Sequence, residues 1–167
     1  MEPAEQFRLT LESPIGLIAV SGSASGITAV TFVDDAPAGI DSAGAPDVVC
    51  ECVRQLDEYF QGRRREFSVP LNLSGTPFQQ RVWRELLTIP FGHTTTYGAI
   101  ANRLGDPKTI RAVGRANGQN PIPILVPCHR VIGSDGSLIG YGGGLWRKRW
   151  LLEHEGQAVQ PPLFPIE

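Results

Sequence analysis

Residues 76–118 read TPFQQRVWRELLTIPFGHTTTYGAIANRLGDPKTIRAVGRANG, and this stretch decides the fold. Thr76-Pro-Phe-Gln79 supplies an N-cap, a proline at the first helical position and a glutamine able to reach back to the cap. Phe78, Val82, Leu86 and Ile89 then recur at helical spacing with Trp83 alongside, and Pro90 and Gly92 predict the stop. A second start at Thr95 or Thr96 predicts a short helix through Tyr97, Ile100, Ala101 and Leu104, ended by Gly105. Asp106-Pro107 starts a third, through Ile110, Val113 and Ala116. Two short helices joined by a tight glycine-containing turn, the second carrying Arg111 and Arg115, describe a helix-turn-helix.

Downstream, NPIPILVPCHRV (120–131) cannot be a regular helix, because proline recurs at 121, 123 and 127. We expect an extended, rigid passage through the interior that delivers Cys128, His129 and Arg130 to a fixed place. SDGSLIGYGGG (134–144) reads as a glycine-rich turn and loop, followed by a last helix over 147–155. Upstream, the β-rich runs 7–13, 17–21 and 27–33 predict a small antiparallel meander. Residues 35–46 read as a loop. Val49, Cys52, Val53, Leu56 and Phe60 predict a helix ending near Gly62, with Cys52 as a core thiol. The expected organisation is therefore an α/β lobe over 1–75 and a mainly α lobe over 76–167.

Composition narrows the function classes. Hydrophobic residues make up 41% and charged residues 19%, ordinary for a globular protein. No apolar run can span a bilayer, and MEPAEQF lacks the features of a signal peptide, so a cytoplasmic location with no membrane partner is expected. The net charge of −2 conceals an asymmetry: residues 1–75 hold five Lys/Arg against eleven Asp/Glu, and residues 76–167 hold ten against six. A basic second half is where a polyanion would dock. Three cysteines and three histidines without CxxC or HxxxH spacing predict neither disulfide, metal nor other cofactor.

Cys128 followed at once by His129 is a candidate nucleophile. A buried structural thiol needs no polar flanks, whereas a reactive one needs an imidazole or cation to provide the thiolate. The histidine in turn needs an acceptor for its other ring nitrogen, and Glu153 and Glu155 in the last helix are the two available.

PCHRV at 127–131, NPIPILVPCHRVIG at 120–133, RAVGRANGQNP at 111–121, GYGGGLWRKRWLLEHEG at 140–156 and FQQRVWRELLTIPFGHTTTYGAIA at 78–101 closely resemble the O6-alkylguanine-DNA alkyltransferases. The resemblance is continuous over residues 76–156 and looser over 7–75. It implies a ribonuclease-H-like α/β lobe followed by a helical lobe whose recognition helix enters the minor groove, with the damaged guanine rotated out of the duplex. The partner it implies is double-stranded DNA containing O6-alkylguanine, bound by a monomeric protein; cooperative binding and repair of O4-alkylthymine stay open.

The resemblance also implies roles. Cys128 matches the alkyl acceptor, His129 the base that activates it through a water, and Glu155 the carboxylate holding His129. Glu153 falls off the pattern. Tyr97 matches the tyrosine that contacts the flipped base and protonates it as it leaves. Asn120 matches the brace of the active-site turn. Arg111 matches the side chain filling the vacated stack, with Ala112 and Arg115 beside it on the DNA-facing helix. Tyr141 matches the pocket wall, and the carbonyls of Cys128 and Val131 match acceptors for the guanine 2-amino group. Gly142 stands where some relatives have serine. A single, irreversible transfer per molecule is the expected reaction, because a thioether has no good leaving group.

Overall fold

The computed structural model describes residues 6–35 and 44–157. The chain divides into two compact units, residues 1–74 and 75–167. Most of the predicted loop 35–46 lies outside the described residues.

In the first unit, β1 (Phe7–Ser13), β2 (Gly16–Ser23) and β3 (Gly26–Val33) form an antiparallel sheet in the order β1-β2-β3. Its register pairs Leu9 with Val20 and Ile18 with Phe32. The ladder shifts at Ser21/Gly22, where a Cβ on Gly22 would lie 2.6 Å from the Gly26 carbonyl oxygen, so only glycine fits. Helix α1 (Asp47–Phe60) packs on this sheet and buries Val49, Cys52, Leu56 and Tyr59. Cys50, two residues from Cys52, is exposed on the other side.

In the second unit, α2 (Pro77–Leu86) begins with the predicted reciprocal cap. The Thr76 hydroxyl accepts from the Gln79 N–H (3.1 Å) and the Gln79 side-chain carbonyl accepts from the Thr76 N–H (2.8 Å). The helix ends at Leu86, earlier than the Pro90 stop. Thr88 N–H and Ile89 N–H bond three residues back, tightening the chain out of the α conformation before the proline is reached. α3 (Tyr97–Arg103), capped by the Thr96 hydroxyl, and α4 (Ile110–Gly118) form the helix-turn-helix. The α4 approach differs from expectation: Asp106 caps a 3-10 turn over Pro107–Thr109, and the α-helix starts only at Ile110. The Trp83 indole N–H donates to the Ala116 carbonyl (2.9 Å), locking α2 onto α4.

Residues 120–131 are not extended. The Val126 N–H bonds the Ile122 carbonyl (2.9 Å), Cys128 N–H bonds Val126, and Cys128–Arg130 close a 3-10 turn. Proline bars a helix but is equally suited to turns, and a run of buried backbone must satisfy its own polar groups, which consecutive turns do. Ile124 sits at φ 75°, a left-handed conformation that costs a β-branched residue on the order of 1–3 kcal/mol. Asn120 overdetermines the turn: its Nδ2 donates to Val126 (2.8 Å) and its Oδ1 accepts from Ile122 N–H (2.9 Å). A feature absent from the sequence reading is the parallel pair β4 (Thr95–Thr96) and β5 (Val131–Ile132), which ties the start of α3 to the exit of the cysteine turn. α5 (Leu145–His154) follows the glycine loop, two residues ahead of its predicted start.

Candidate active site

Cys128 opens the 3-10 turn and is only 5% exposed. Burial pushes its thiol up to about 11; a hydrogen bond from Asn120 and the nearby Lys148 charge offset this only in part. Desolvation outweighs the neighbouring groups, so a thiolate here would need a base to take the proton.

The group able to take it lies next in the chain. His129 is fully buried, and its Nε2 lies 2.8 Å from Glu155 Oε2. Burial alone would raise the Glu155 carboxyl, but bonds from His129 and Arg130 outweigh it and bring the group down to about 2. An ionised carboxylate only accepts, so Nε2 carries the ring proton and Nδ1 holds the lone pair. Nδ1 has no hydrogen-bond partner among the described residues. Burial, with Arg130 and Lys148, holds the imidazole below its ordinary value despite Glu155. Glu153 is exposed and pairs with Arg149 (2.8 Å). Of the two carboxylates the sequence offered, Glu155 is the one on the imidazole.

A cavity of about 490 Å³ opens at the helix-turn-helix, within the range of small-molecule sites. α3 supplies Tyr97, α4 supplies Ile110, Arg111, Gly114, Asn117 and Gly118, and the glycine loop supplies Ile139 through Gly142. The expected residues Tyr97, Arg111, Tyr141 and Gly142 thus meet in one place. Cys128, Val131, Asn120, Ala112 and Arg115 are not among the lining residues. Val131 is wholly buried in β5, Asn120 is occupied with the turn, Ala112 is half-buried on α4, and Arg115 is exposed there. Arg111 is exposed and makes no ion pair with a described residue. The lining connects to the sulfur's residue through Asn117, whose Nδ2 donates to the Cys128 carbonyl (3.3 Å). That carbonyl also accepts the Val131 N–H, so both lone pairs are engaged. A Cβ on Gly142 would meet only the Gly118 oxygen at 3.9 Å, leaving the wall open there.

Tyr97 donates its hydroxyl proton to the Ile139 carbonyl (2.8 Å), and burial pushes the phenol up to about 12. Behind it stands Lys148, buried on α5, whose Nζ donates to Ile139 (2.9 Å), to Gly140 (3.3 Å) and to the Tyr97 oxygen (3.3 Å). Burial brings Lys148 down to about 8.

Sequence reasoning missed three residues here. Lys148 shares a helical stripe with Leu151, Leu152 and Glu155, so a charge at an inward position was the available signal. Asn117 likewise follows the inward Val113 and Ala116 of α4. Arg130 was read only as a flank of the cysteine, yet it bonds Glu155 through Nε (2.7 Å) and Nη2 (3.0 Å) and the Ile89 carbonyl through Nη1 (2.6 Å). Among the described residues, no group of three or more His, Cys, Asp or Glu could hold a metal, and no helix is long and apolar enough to cross a membrane.

Comparison with known proteins covers both units. Residues 7–73 match the ribonuclease-like domain, and residues 77–157 the DNA-binding domain, of 6-O-methylguanine DNA methyltransferase. A methylated-DNA–protein-cysteine methyltransferase of Mycobacterium leprae is 51% identical over 152 residues, covering 90% of this chain and 92% of that protein. The crystal structure of Mycobacterium tuberculosis O6-methylguanine methyltransferase superposes with a TM-score of 0.79 at 49% identity, covering 90% and 93% of the two chains. A structure of the M. tuberculosis protein in complex with DNA gives 0.78 at 50% identity, covering 87% and 90%.

Proposed function

Because the chain belongs to the 6-O-methylguanine DNA methyltransferase family, we propose that Cys128 is the alkyl acceptor and that this two-lobed DNA-repair methyltransferase acts once per molecule. Its partner is DNA; the substrate we assign is O6-alkylguanine in a duplex, rotated out of the stack into the cavity beside α4. The observation that carries this reading is the buried His129–Glu155 pair adjoining Cys128, next to a cavity whose rim is the second helix of the helix-turn-helix.

In the proposed step, His129 Nδ1 takes the Cys128 proton, directly or by way of a water, as Sγ attacks the alkyl carbon. The bond from that carbon to O6 breaks, and the electron pair leaves on the guanine. Tyr97 then supplies a proton to the base, which requires its hydroxyl to leave the Ile139 carbonyl. Lys148 Nζ, 3.3 Å from the phenol oxygen, would steady the phenolate so formed. Glu155 fixes the ring tautomer, and Asn120 holds the turn on which the sulfur rides. Asn117 would have to yield the Cys128 carbonyl for it to meet the guanine 2-amino group. The product thioether has no good leaving group, so the transfer ends the protein's activity.

The test is Cys128→Ser. An alcohol is far harder to deprotonate than a thiol, so transfer from an O6-methylguanine duplex should be lost while duplex binding persists. Transfer surviving in this variant would place the acceptor elsewhere.

A further inference from the structure

The carboxylate that holds His129 is shared. Glu155 Oε2 accepts from His129 Nε2 (2.8 Å) and from Arg130 Nη2 (3.0 Å), while Oε1 accepts from Arg130 Nε (2.7 Å). All three side chains are buried: His129 and Glu155 show no exposed side-chain surface and Arg130 only 7%. Arg130 is itself fixed, by the Ile89 carbonyl (2.6 Å) and by the face of Phe91, whose centre lies 5.9 Å from the guanidinium carbon. The fork is planar and permanently charged, so its position and its charge are constant.

Such sharing has a chemical consequence. A buried carboxylate facing a histidine alone favours the imidazolium, and an imidazolium cannot accept a proton from a thiol. With Arg130 in place, the carboxylate's charge is already matched. The charged groups facing His129 are Glu155 and Lys148 from α5 and Arg130 from its own turn. A proton added to the ring would set a second cation on one carboxylate, with the Lys148 ammonium nearby, in a region of low polarisability. We propose that Arg130 is a positioning residue that keeps His129 in its neutral, proton-accepting form by taking up the charge of Glu155. It acts through Glu155 and touches neither the sulfur nor the base. The inference rests on His129 as the base of the transfer reaction.

Electrostatics agrees with the geometry: burial and Arg130 both press the imidazole downward, against Glu155. The sequence explains why one residue can do this, since Arg130 follows His129 directly on the 3-10 turn and the two reach a single carboxylate at the end of α5.

The experiment follows His129 by nuclear magnetic resonance of histidine-labelled protein while pH is varied. Single-turnover alkyl transfer is measured over the same range, in the wild type, Arg130→Gln and Arg130→Lys. Glutamine keeps a hydrogen-bond donor and loses the charge; lysine keeps the charge and loses the fork. In the wild type, His129 should be neutral with its proton on Nε2 throughout the neutral range. In Arg130→Gln its midpoint should rise by about one pH unit, carrying the acid limb of the rate with it, and Arg130→Lys should restore most of the shift. An unmoved midpoint in Arg130→Gln, with only a lower unfolding temperature, would overturn the proposal and leave Arg130 a structural residue. Should Arg130→Gln fail to fold, Arg130→Met, which removes the charge and fills the space with an apolar chain, is read the same way, and an imidazolium in the wild type at neutral pH overturns the proposal by itself. A midpoint that moves while the rate ignores it would uphold the charge argument and sink the role of His129 as base, so the two failures are distinguishable.

Discussion

Glu155 shows at the scale of one residue how burial and bonding compete. Its folded-state carboxyl, near 2, lies below the ordinary value of 4.5, so the unfolded chain binds the proton first as pH falls. The stabilisation is complete above 4.5 and is lost as pH drops from there through 2, on the order of 3 kcal/mol in all. His129 has the same sign at higher pH, because the unfolded ring takes a proton that the buried ring refuses. Unfolding by urea at stepped pH should therefore show an acid limb that Glu155→Gln shrinks and Glu153→Gln leaves unchanged; an unchanged limb in Glu155→Gln would contradict the assignment. Residue order set His129 beside Cys128 but left Glu153 and Glu155 both open as its carboxylate; the resemblance singled out Glu155, and the fold puts that carboxylate on the imidazole. The sequence did not carry the state of the thiol. Flanking polar residues point to activation, whereas the 5% exposure that dominates the outcome is a property of the packed fold.

Secondary elements were legible where a local rule governs them. Thr76, Pro77 and Gln79 specified the start of α2 down to both reciprocal hydrogen bonds. The three strands followed from short β-rich runs and the turns between them. The β4–β5 pair was not legible, because each strand is two residues long and their partnership spans the whole helix-turn-helix. The turns of 120–131 were misread because proline excludes a helix without choosing between extension and turns. The α4 helix also carries a prediction. Arg111 is exposed at the cavity and has no ion-pair partner among the described residues, so a long side chain is available to the duplex. Base flipping costs a few kcal/mol, and an inserted side chain offsets part of it by filling the gap. Arg111→Ala should slow repair of an alkylated duplex by one to two orders of magnitude, about 1.5–3 kcal/mol, yet barely change reaction with a free O6-alkylated guanine base. Lower ionic strength should not restore the duplex rate. Equal effects on both substrates would remove the proposed role.

For the whole molecule, the charge asymmetry of the sequence falls along the two units, with the basic residues in the unit that holds the helix-turn-helix and the cavity. That division was readable from composition because it is a sum over many residues, whereas the cavity required Tyr97, Arg111 and Tyr141 to converge from three elements far apart in sequence. The central claim concerns the molecule as a unit: it is consumed by its reaction. The direct measurement is the intact mass of the protein after incubation with an excess of O6-methylguanine duplex, followed by peptide mapping, with restored guanine counted in parallel. We predict a single added methyl group on the Cys128 peptide and one restored guanine per protein molecule, however large the excess. Restored guanine continuing to accumulate beyond the protein present, or a methyl group on any other residue, would contradict the account.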